Sequence, residues 1–276
     1  MTSERQGIDT GLKHYGRSFF AWQEEGSIRS ARQVLGLLRS HLLVSSVVDV
    51  GCGTGSWLKV WQELGVLDVV GVDGLHITDE QLHILGTQFE RRDLSRTWHL
   101  GRRFDLVQSM EVAEHLAPGT GPEFVGSLCA LGDVVLFSAA QPGQGGEFHV
   151  NERPLAYWQA LFEAQGYRTF DVRRLTANNK EVLKWYRHNS LVFANNDGYQ
   201  RLSSEIRSLE CTQNKIVTSY GDWMWEARRA VLRWFPEPVV TQCSKLSYLI
   251  KRMVRDWHAP RTRSTQERQL GEDSPS

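Results

Sequence analysis

The chain has 276 residues, 41% of them hydrophobic, with 32 acidic and 32 basic side chains that leave a formal net charge of zero. That suffices for the core of one large α/β domain with appendages, or of two small domains, and the neutral balance counts against an overall basic field for nucleic acid. Cys52, Cys129, Cys211 and Cys243 are scattered with no CxxC pair, which excludes a disulfide framework and a thiolate zinc site and suits a reducing compartment.

The opening "MTSERQGIDTGLKHYG" lacks the apolar run of a signal peptide. No apolar stretch reaches the roughly 18 residues of a spanning helix, so a soluble, cytoplasmic protein is expected. Residues 1–26 read as a polar segment carrying Tyr15, Phe19, Phe20 and Trp22, a possible lid. "SIRSARQVLGLLRSHL" then places apolar residues at gaps of three and four, an amphipathic helix with Ser27 as N-cap. "SSVVDV" is a short buried strand, followed by the turn "GCGTG" and a helix through "SWLKVWQELG". Further strands are expected at "LDVVGVDG", "FERRDL", "RFDLVQSM", "GDVVLFSAA", "YRTFDVRRL" and "NSLVFANN". Helices are expected weakly at 79–85 and more clearly at "GPEFVGSLCALG" and "ERPLAYWQALFEAQG", the last closed by Gly166. This alternation predicts a mostly parallel sheet covered on both faces. The catalytic domain is therefore expected over 27–196, a helical extension over 197–258 and a polar, disordered tail over 259–276.

The glycine-rich turn between the first strand and its helix lets a ligand approach the backbone. Gly51, Gly53 and Gly55 form GxGxG, not the GxGxxG of dinucleotide binders, and no GK[ST] follows as in a P-loop. Asp49 sits two residues upstream. A carboxylate there repels pyrophosphate and suits an ammonium, which points to S-adenosylmethionine, a ligand with an amino group, a sulfonium and a ribose but no phosphate. Asp73, at the tip of the second strand, has the spacing to grip ribose hydroxyls, and Asp93 follows the third strand, placed to accept from the adenine amino group.

"VVDVGCGTGSWL", "VVGVDG", "RRDLS" and "FDLVQSMEVAEHL" together resemble the successive motifs of the class I S-adenosylmethionine-dependent methyltransferases, over roughly residues 27–194. The resemblance implies a Rossmann-like, seven-stranded, mostly parallel sheet with an antiparallel last strand. It also implies that Asp49, Gly51, Cys52, Gly53, Thr54 and Gly55 hold the methionine moiety, Asp73 the ribose, and Asp93 with Leu94 the adenine. Trp57, Gly74 and Met110, beside these positions, complete the expected cofactor set. The run "GDVVLFSAAQPGQGGEFHVNERPLAYWQALF" is similar to a bacterial subset found among glycan and natural-product genes.

Methyl transfer needs an aligned nucleophile and, for a hydroxyl, removal of its proton. The fourth strand delivers Glu111, Glu114 and His115, with the two glutamates three apart and so able to share one face of a helical turn. "GQGGEFHVNE" after the fifth strand adds His149, Asn151 and Glu152 on a loop able to fold over the site. The ExxEH set with a later histidine resembles the metal site of the small-RNA 3′-terminal 2′-O-methyltransferases and of the ubiquinone-pathway O-methyltransferases. By that resemblance Glu111, Glu114, His115 and His149 would hold Mg²⁺, Mn²⁺, Fe²⁺ or Zn²⁺, which lowers the pKa of the acceptor hydroxyl. Two other readings stand beside it: His115 or His149 as general base, or purely structural roles. Trp185, Tyr186 and His188 are candidates to line the acceptor pocket.

The expected activity is O-methylation of a small-molecule hydroxyl, on a sugar or natural-product intermediate. Metal-free N-methylation, RNA 2′-O-methylation and a cofactor-binding scaffold are the alternatives. The basic, Trp-containing C-terminal region is expected to be helical and to pack on its own domain, wall the acceptor pocket or form a homodimer contact.

Overall fold

The computed structural model describes residues 17–75, 77–211, 223–235, 239, 240, 242 and 243, with side chains from Glu24 onward. The aromatic cluster Tyr15–Trp22, the segments 212–222 and 244–258, and the tail 259–276 lie outside the described side chains or residues.

Seven strands form one sheet: β1 (Ser46–Val50), β2 (Asp68–Asp73), β3 (Phe89–Arg91), β4 (Leu106–Met110), β5 (Val134–Ser138), β6 (Arg168–Phe170) and β7 (Leu191–Ala194). Their order is β3-β2-β1-β4-β5-β7-β6. The first five are mutually parallel, and β7 runs antiparallel to both β5 and β6. The expected fold is therefore present. Strand order reverses between β1 and β4, which opens a crevice beyond their carboxyl ends, where ligands of such sheets sit.

Alternate residues of the central strands face opposite cores, as the two-residue period demands. Val47, Leu106, Val134 and Val192 pack with α1 (Arg17–Arg39) and α2 (Ser56–Glu63). Val48, Val107, Val135 and Phe193 pack with α3 (Gly121–Leu131) and α4 (Leu155–Ala164). On that second face Phe162 stacks on Phe193, with ring centroids 3.8 Å apart. Both faces being buried explains why the strands read as continuous apolar runs.

Three local expectations change. The first helix begins at Arg17, ten residues before Ser27, so Ser27 is an interior residue and not a cap. Its hydroxyl instead accepts from Trp57 Nε1 at 3.0 Å and pairs with the Tyr186 hydroxyl at 3.2 Å. Gly26 reads as a break but serves packing: a Cβ there would stand 2.9 Å from Leu183 Cδ1. The weak helix expected at 79–85 is only a single 3₁₀ turn, Asp79–Gln81, and a second one, Gly86–Gln88, follows beyond it. The sixth strand stops at Phe170. Arg173, 1% exposed, turns in to make a two-pronged pair with Asp171 at 2.6 and 2.8 Å, and the chain coils into α5 (Arg173–Thr176).

After α6 (Lys184–Asn189) and β7 come α7 (Asn196–Arg201) and α8 (Ser204–Ser208), both with side-chain N-caps, and then α9 (Trp223–Leu232). Among the described residues no helix is long and apolar enough to cross a membrane. All four cysteines are free thiols.

Candidate active site

The turn after β1 occupies the crevice. Gly51, Gly53 and Gly55 all have positive φ, at 79°, 54° and 83°. Gly51 carries two constraints at once: its left-handed backbone disfavours any side chain, and a Cβ would run into both methyls of Val112. Val112 directly follows Glu111, so the glycine turn lies against the segment leaving β4. The backbone amides of Gly51 and Cys52 both reach the Val72 carbonyl, at 2.7 and 3.2 Å, which ties the turn to β2.

Asp49 is 3% exposed and lies opposite Gln108 in the β1–β4 register. Burial pushes its carboxyl up to about 7, with the charge of Asp73 adding to the effect and the neighbouring Gln108 side chain opposing it. Asp73, at the tip of β2, accepts from the amides of Gly53 and Gly74, each at 2.6 Å. Asp49, Gly51–Gly55, Asp73 and Gly74 thus form one acidic, amide-lined rim.

The other expected cofactor residues divide. Thr54 hydrogen-bonds Glu24 of α1 at 3.3 Å, and Glu24 also pairs with His83. These two residues were not anticipated, because nothing local marks a helix and a loop that meet over a turn. Met110 is buried at the end of β4, and Leu94 packs partly buried against the second core. Trp57 is a core residue, edge-on to Tyr186 at 5.0 Å between centroids. Asp93 is exposed and engaged locally: Ser95 donates to it from Oγ and N at 2.6 and 3.0 Å, which holds its carboxyl below the usual range.

Beyond β4 the chain turns sharply. Glu111 has φ +58°, one of two non-glycine residues with positive φ among those described. Its amide donates to both the carbonyl and hydroxyl of Ser138, each at 3.0 Å. Its carboxylate accepts from Gln144 at 2.8 Å and Asn189 at 3.0 Å, and Asn189 also donates to Gln144. Burial raises the Glu111 carboxyl pKa, and these bonds counter it. Glu111 and Glu114 do not share a helical turn, since the 3₁₀ turn begins at Ala113.

Glu114 is fully buried, and neither carboxylate oxygen has a hydrogen-bond partner among the described residues. Burial, then the charge of Glu111, raise its pKa well above the carboxylate range, and the nearby backbone amides of Glu114 and Ala140 pull the other way without reaching hydrogen-bond geometry. Its surroundings are built by the loop after β5, whose Val150 and Asn151 amides donate to the Glu114 carbonyl at 2.9 and 3.0 Å. That brings in His149, whose Nε2 stands 4.0 Å from Glu114 Oε1 and whose Nδ1 lies 2.9 Å from Glu152 Oε1. Glu152 also accepts from the amides of Gly143 and Gly145. His115 packs edge-on to His149, 4.9 Å between centroids, with Nδ1 3.2 Å from the Phe148 carbonyl. His115 keeps solvent exposure, yet the crowding of protein around its ring pushes the imidazole down to about 4; a charged His149 would add to this and the Phe148 carbonyl opposes it.

One ligand atom each from Glu114, His115 and His149 falls within 4.8 Å of the others. A buried carboxylate with no side-chain hydrogen bond, beside two imidazoles, is a donor set that fits a divalent cation. Glu111 is not in this trio, its oxygens being held by amides. The C-terminal extension reaches the same loop. Arg228 donates to the Gln144 carbonyl at 3.0 Å and Arg229 to the Pro142 carbonyl at 3.2 Å. Gly143 has φ +82°, and a Cβ on it would stand 2.5 Å from the Arg229 carbonyl oxygen. His188, buried on α6, lies 5.5 Å from Trp225 of α9.

The sheet order, the glycine turn at the switch point and the acidic strand tips define the class I S-adenosylmethionine-dependent methyltransferase fold. A methyltransferase-domain family model matches residues 18–182. The chain belongs to that family and is an S-adenosylmethionine-dependent methyltransferase. No curated protein matches it. Among solved structures it is similar to DesVI of Streptomyces venezuelae, at 15% identity and a TM-score of 0.49, covering 64% of this chain and 95% of that one. It is similar to the sugar N-methyltransferase KedS8 of Streptoalloteichus sp. ATCC 53650, at 15% identity and TM-score 0.48, covering 71% and 98%. Magnesium protoporphyrin IX methyltransferase of Synechocystis PCC 6803, solved with S-adenosylmethionine bound, is 20% identical with a TM-score of 0.47, covering 66% and 86%.

Proposed function

We propose that this enzyme methylates a hydroxyl of a small molecule, a sugar or a natural-product intermediate, in the cytoplasm, a compartment the free thiols favour. The observation that carries this reading is Glu114: a buried carboxylate with no side-chain hydrogen bond among the described residues, grouped with His115 and His149. In the cofactor site Asp49 receives the methionine ammonium and Asp73 the ribose hydroxyls. The amides of the 51–55 turn line the methionine, and Asp93 with Leu94 borders the adenine.

The transferred methyl leaves sulfur as the acceptor oxygen attacks in line, and the hydroxyl proton must depart. Glu114, His115 and His149 would hold a divalent ion, which lowers the pKa of the acceptor hydroxyl when bound. Glu152 holds His149 at Nδ1, 2.9 Å away, and leaves Nε2, 4.0 Å from Glu114 Oε1, as the nitrogen on the Glu114 side. A carboxylate bonded to the far nitrogen of a ligating imidazole in this way fixes the ring's tautomer and orientation. Glu111, clamped by Gln144 and Asn189, holds the end of β4 and so the position of the trio. The same Glu152–His149 pair supports a second reading, in which His149 takes the proton itself without metal.

The test is transfer of labelled methyl from S-adenosylmethionine to hydroxyl-bearing acceptors, in wild type and Glu114→Gln. Transfer to oxygen in wild type that is lost in the variant, with cofactor binding intact, is expected. Full activity in Glu114→Gln removes Glu114 from the chemistry, and label found only on nitrogen overturns the hydroxyl reading.

A further inference from the structure

We propose that the outward face of α9 docks on anionic phospholipid, so that the enzyme rests on a membrane surface without crossing it. Among the described residues α9 is apolar on two sides, and the fold uses one of them. Trp225 and Leu232, each 8% exposed, are turned to the domain, and Arg228 and Arg229 between them bond the carbonyls of Gln144 and Pro142. On the other side Trp223, Ala227, Val231 and Trp234 follow at gaps of four, four and three, all exposed, with Met224 and Phe235 beside them. At about 3.6 residues per turn those gaps make one stripe. The amides of Arg233, Trp234 and Phe235 bond the carbonyls of Arg229, Val231 and Leu232, so the coil continues through the stripe's last residues. Trp223 and Trp234 are each 78% exposed. An ordinary surface helix carries one apolar stripe, turned to the core. A second, contiguous one left in water marks an interaction site.

Charge decides what lies against this stripe. Residues 228–263 hold nine Lys or Arg against only Glu237 and Asp256, a net of +7, and because the whole chain sums to zero the remainder carries −7. Exposed Arg233 sets its guanidinium 5.5 Å from the centroid of the Trp234 ring, which puts a cation beside the apolar surface. An anionic headgroup layer complements this arrangement: it attracts the basic segment, repels the remainder and so turns α9 toward itself. Tryptophan settles at the boundary between headgroups and acyl chains. Aromatic and aliphatic side chains on one helix face, with arginines flanking them, suit a helix lying in that plane. A second copy of the chain fits less well, because symmetric pairing through the stripe brings two segments of net +7 together. The inner face of α9 bonds Gln144, which in turn bonds Glu111. Docking therefore holds the loop of the candidate site one helix diameter, about 10 Å, from the lipid.

The experiment sediments the full-length protein with phosphatidylglycerol vesicles and, separately, with phosphatidylcholine vesicles. It compares wild type, the double variant Trp223→Ser/Trp234→Ser, Arg233→Glu, and Leu43→Ser as a control at an exposed apolar residue outside α9. Wild type is expected to bind phosphatidylglycerol about tenfold or more tightly than phosphatidylcholine. That binding should weaken by about tenfold or more in about 1 M salt, where the Debye length is about 3 Å. The double variant should lower it by about tenfold or more, through lost apolar contact, and Arg233→Glu by about fivefold, through charge. Leu43→Ser should leave it within about twofold. Affinity for S-adenosylhomocysteine should be alike in all four proteins, which separates loss of docking from loss of fold. Wild type that stays off phosphatidylglycerol, equal binding to both lipids, or wild-type binding in both the double variant and Arg233→Glu overturns the proposal. So does a wild-type dimer in sedimentation velocity that the double variant splits, which gives the stripe to a second copy.

Discussion

On the proposed reading Asp49 serves cofactor binding at the expense of stability, and Asp49→Asn separates the two. In the unliganded protein burial holds this carboxyl at about 7, against an ordinary value of 3.8. Three pH units correspond to about 4 kcal/mol at 1.36 kcal/mol per unit. Because the folded value lies above the unfolded one, the native chain keeps a proton that the unfolded chain has lost between roughly pH 4 and 7. Stability from this group is therefore full below about pH 4, declines as pH rises through that window, and is flat above about 7. Asparagine does not titrate, although its amide hydrogens need acceptors in a site that is 3% exposed, which trims the gain by about 1 kcal/mol. Unliganded Asp49→Asn should thus be more stable than wild type by about 3 kcal/mol at pH 8 and about 1 kcal/mol less stable near pH 4, where only the cost of the amide remains. Urea unfolding at several pH values measures this. Affinity for S-adenosylhomocysteine should fall by roughly ten- to a hundredfold, the loss of a charge-assisted bond to its ammonium. In wild type that affinity should itself weaken as pH drops below about 7. A variant that is less stable at pH 8, or a stability difference independent of pH, refutes the electrostatic argument; unchanged affinity refutes the placement of the ammonium.

Gly51→Ala should destabilise the fold by about 2–4 kcal/mol in denaturant unfolding, since strain at positive φ adds to overpacking against Val112. Asp73→Ala should weaken S-adenosylhomocysteine by about 1.5–3 kcal/mol in calorimetric titration, and affinity within twofold of wild type would remove Asp73 from the ribose contact. Gly143→Ala should push α9 away from the loop that carries Gln144 and Glu152. The expected result is a kcat reduced by about tenfold or more with cofactor affinity retained, as follows when catalytic groups are displaced by about an ångström. Unimpaired kcat would separate the C-terminal extension from the site.

The sheet was legible because every central strand is buried on both faces and bounded by turn residues. The glycine turn was legible because its backbone conformations admit little else. What escaped had causes outside the local pattern. The start of α1 was misplaced because Ser27 has the residue type of an N-cap, while its hydroxyl in fact meets Trp57 and Tyr186 and the glycine before it is small to admit Leu183. Spacing alone suggested that Glu111 and Glu114 act together. Glu111 is instead held by Gln144, 33 residues away, and Asn189, 78 away, partners that no local window contains. The joining of Glu114 and His115 with His149 was readable only as a resemblance; the structure supplies the reason, in the loop amides bound to the Glu114 carbonyl. That the C-terminal region packs on its own domain was expected from its amphipathic pattern, but its contact with the loop at Gly143 was not, because no local window relates Gly143 to Arg229.

The measurement that bears most directly on the central claim is titration of Mn²⁺ into the full-length protein saturated with S-adenosylhomocysteine, following free ion by electron paramagnetic resonance. Wild type should take up one ion per chain, and Glu114→Gln and His149→Ala should each abolish that uptake while still binding S-adenosylhomocysteine. A wild-type protein that binds S-adenosylhomocysteine but no ion, or variants that bind the ion as tightly as wild type, would contradict a cation at Glu114, His115 and His149.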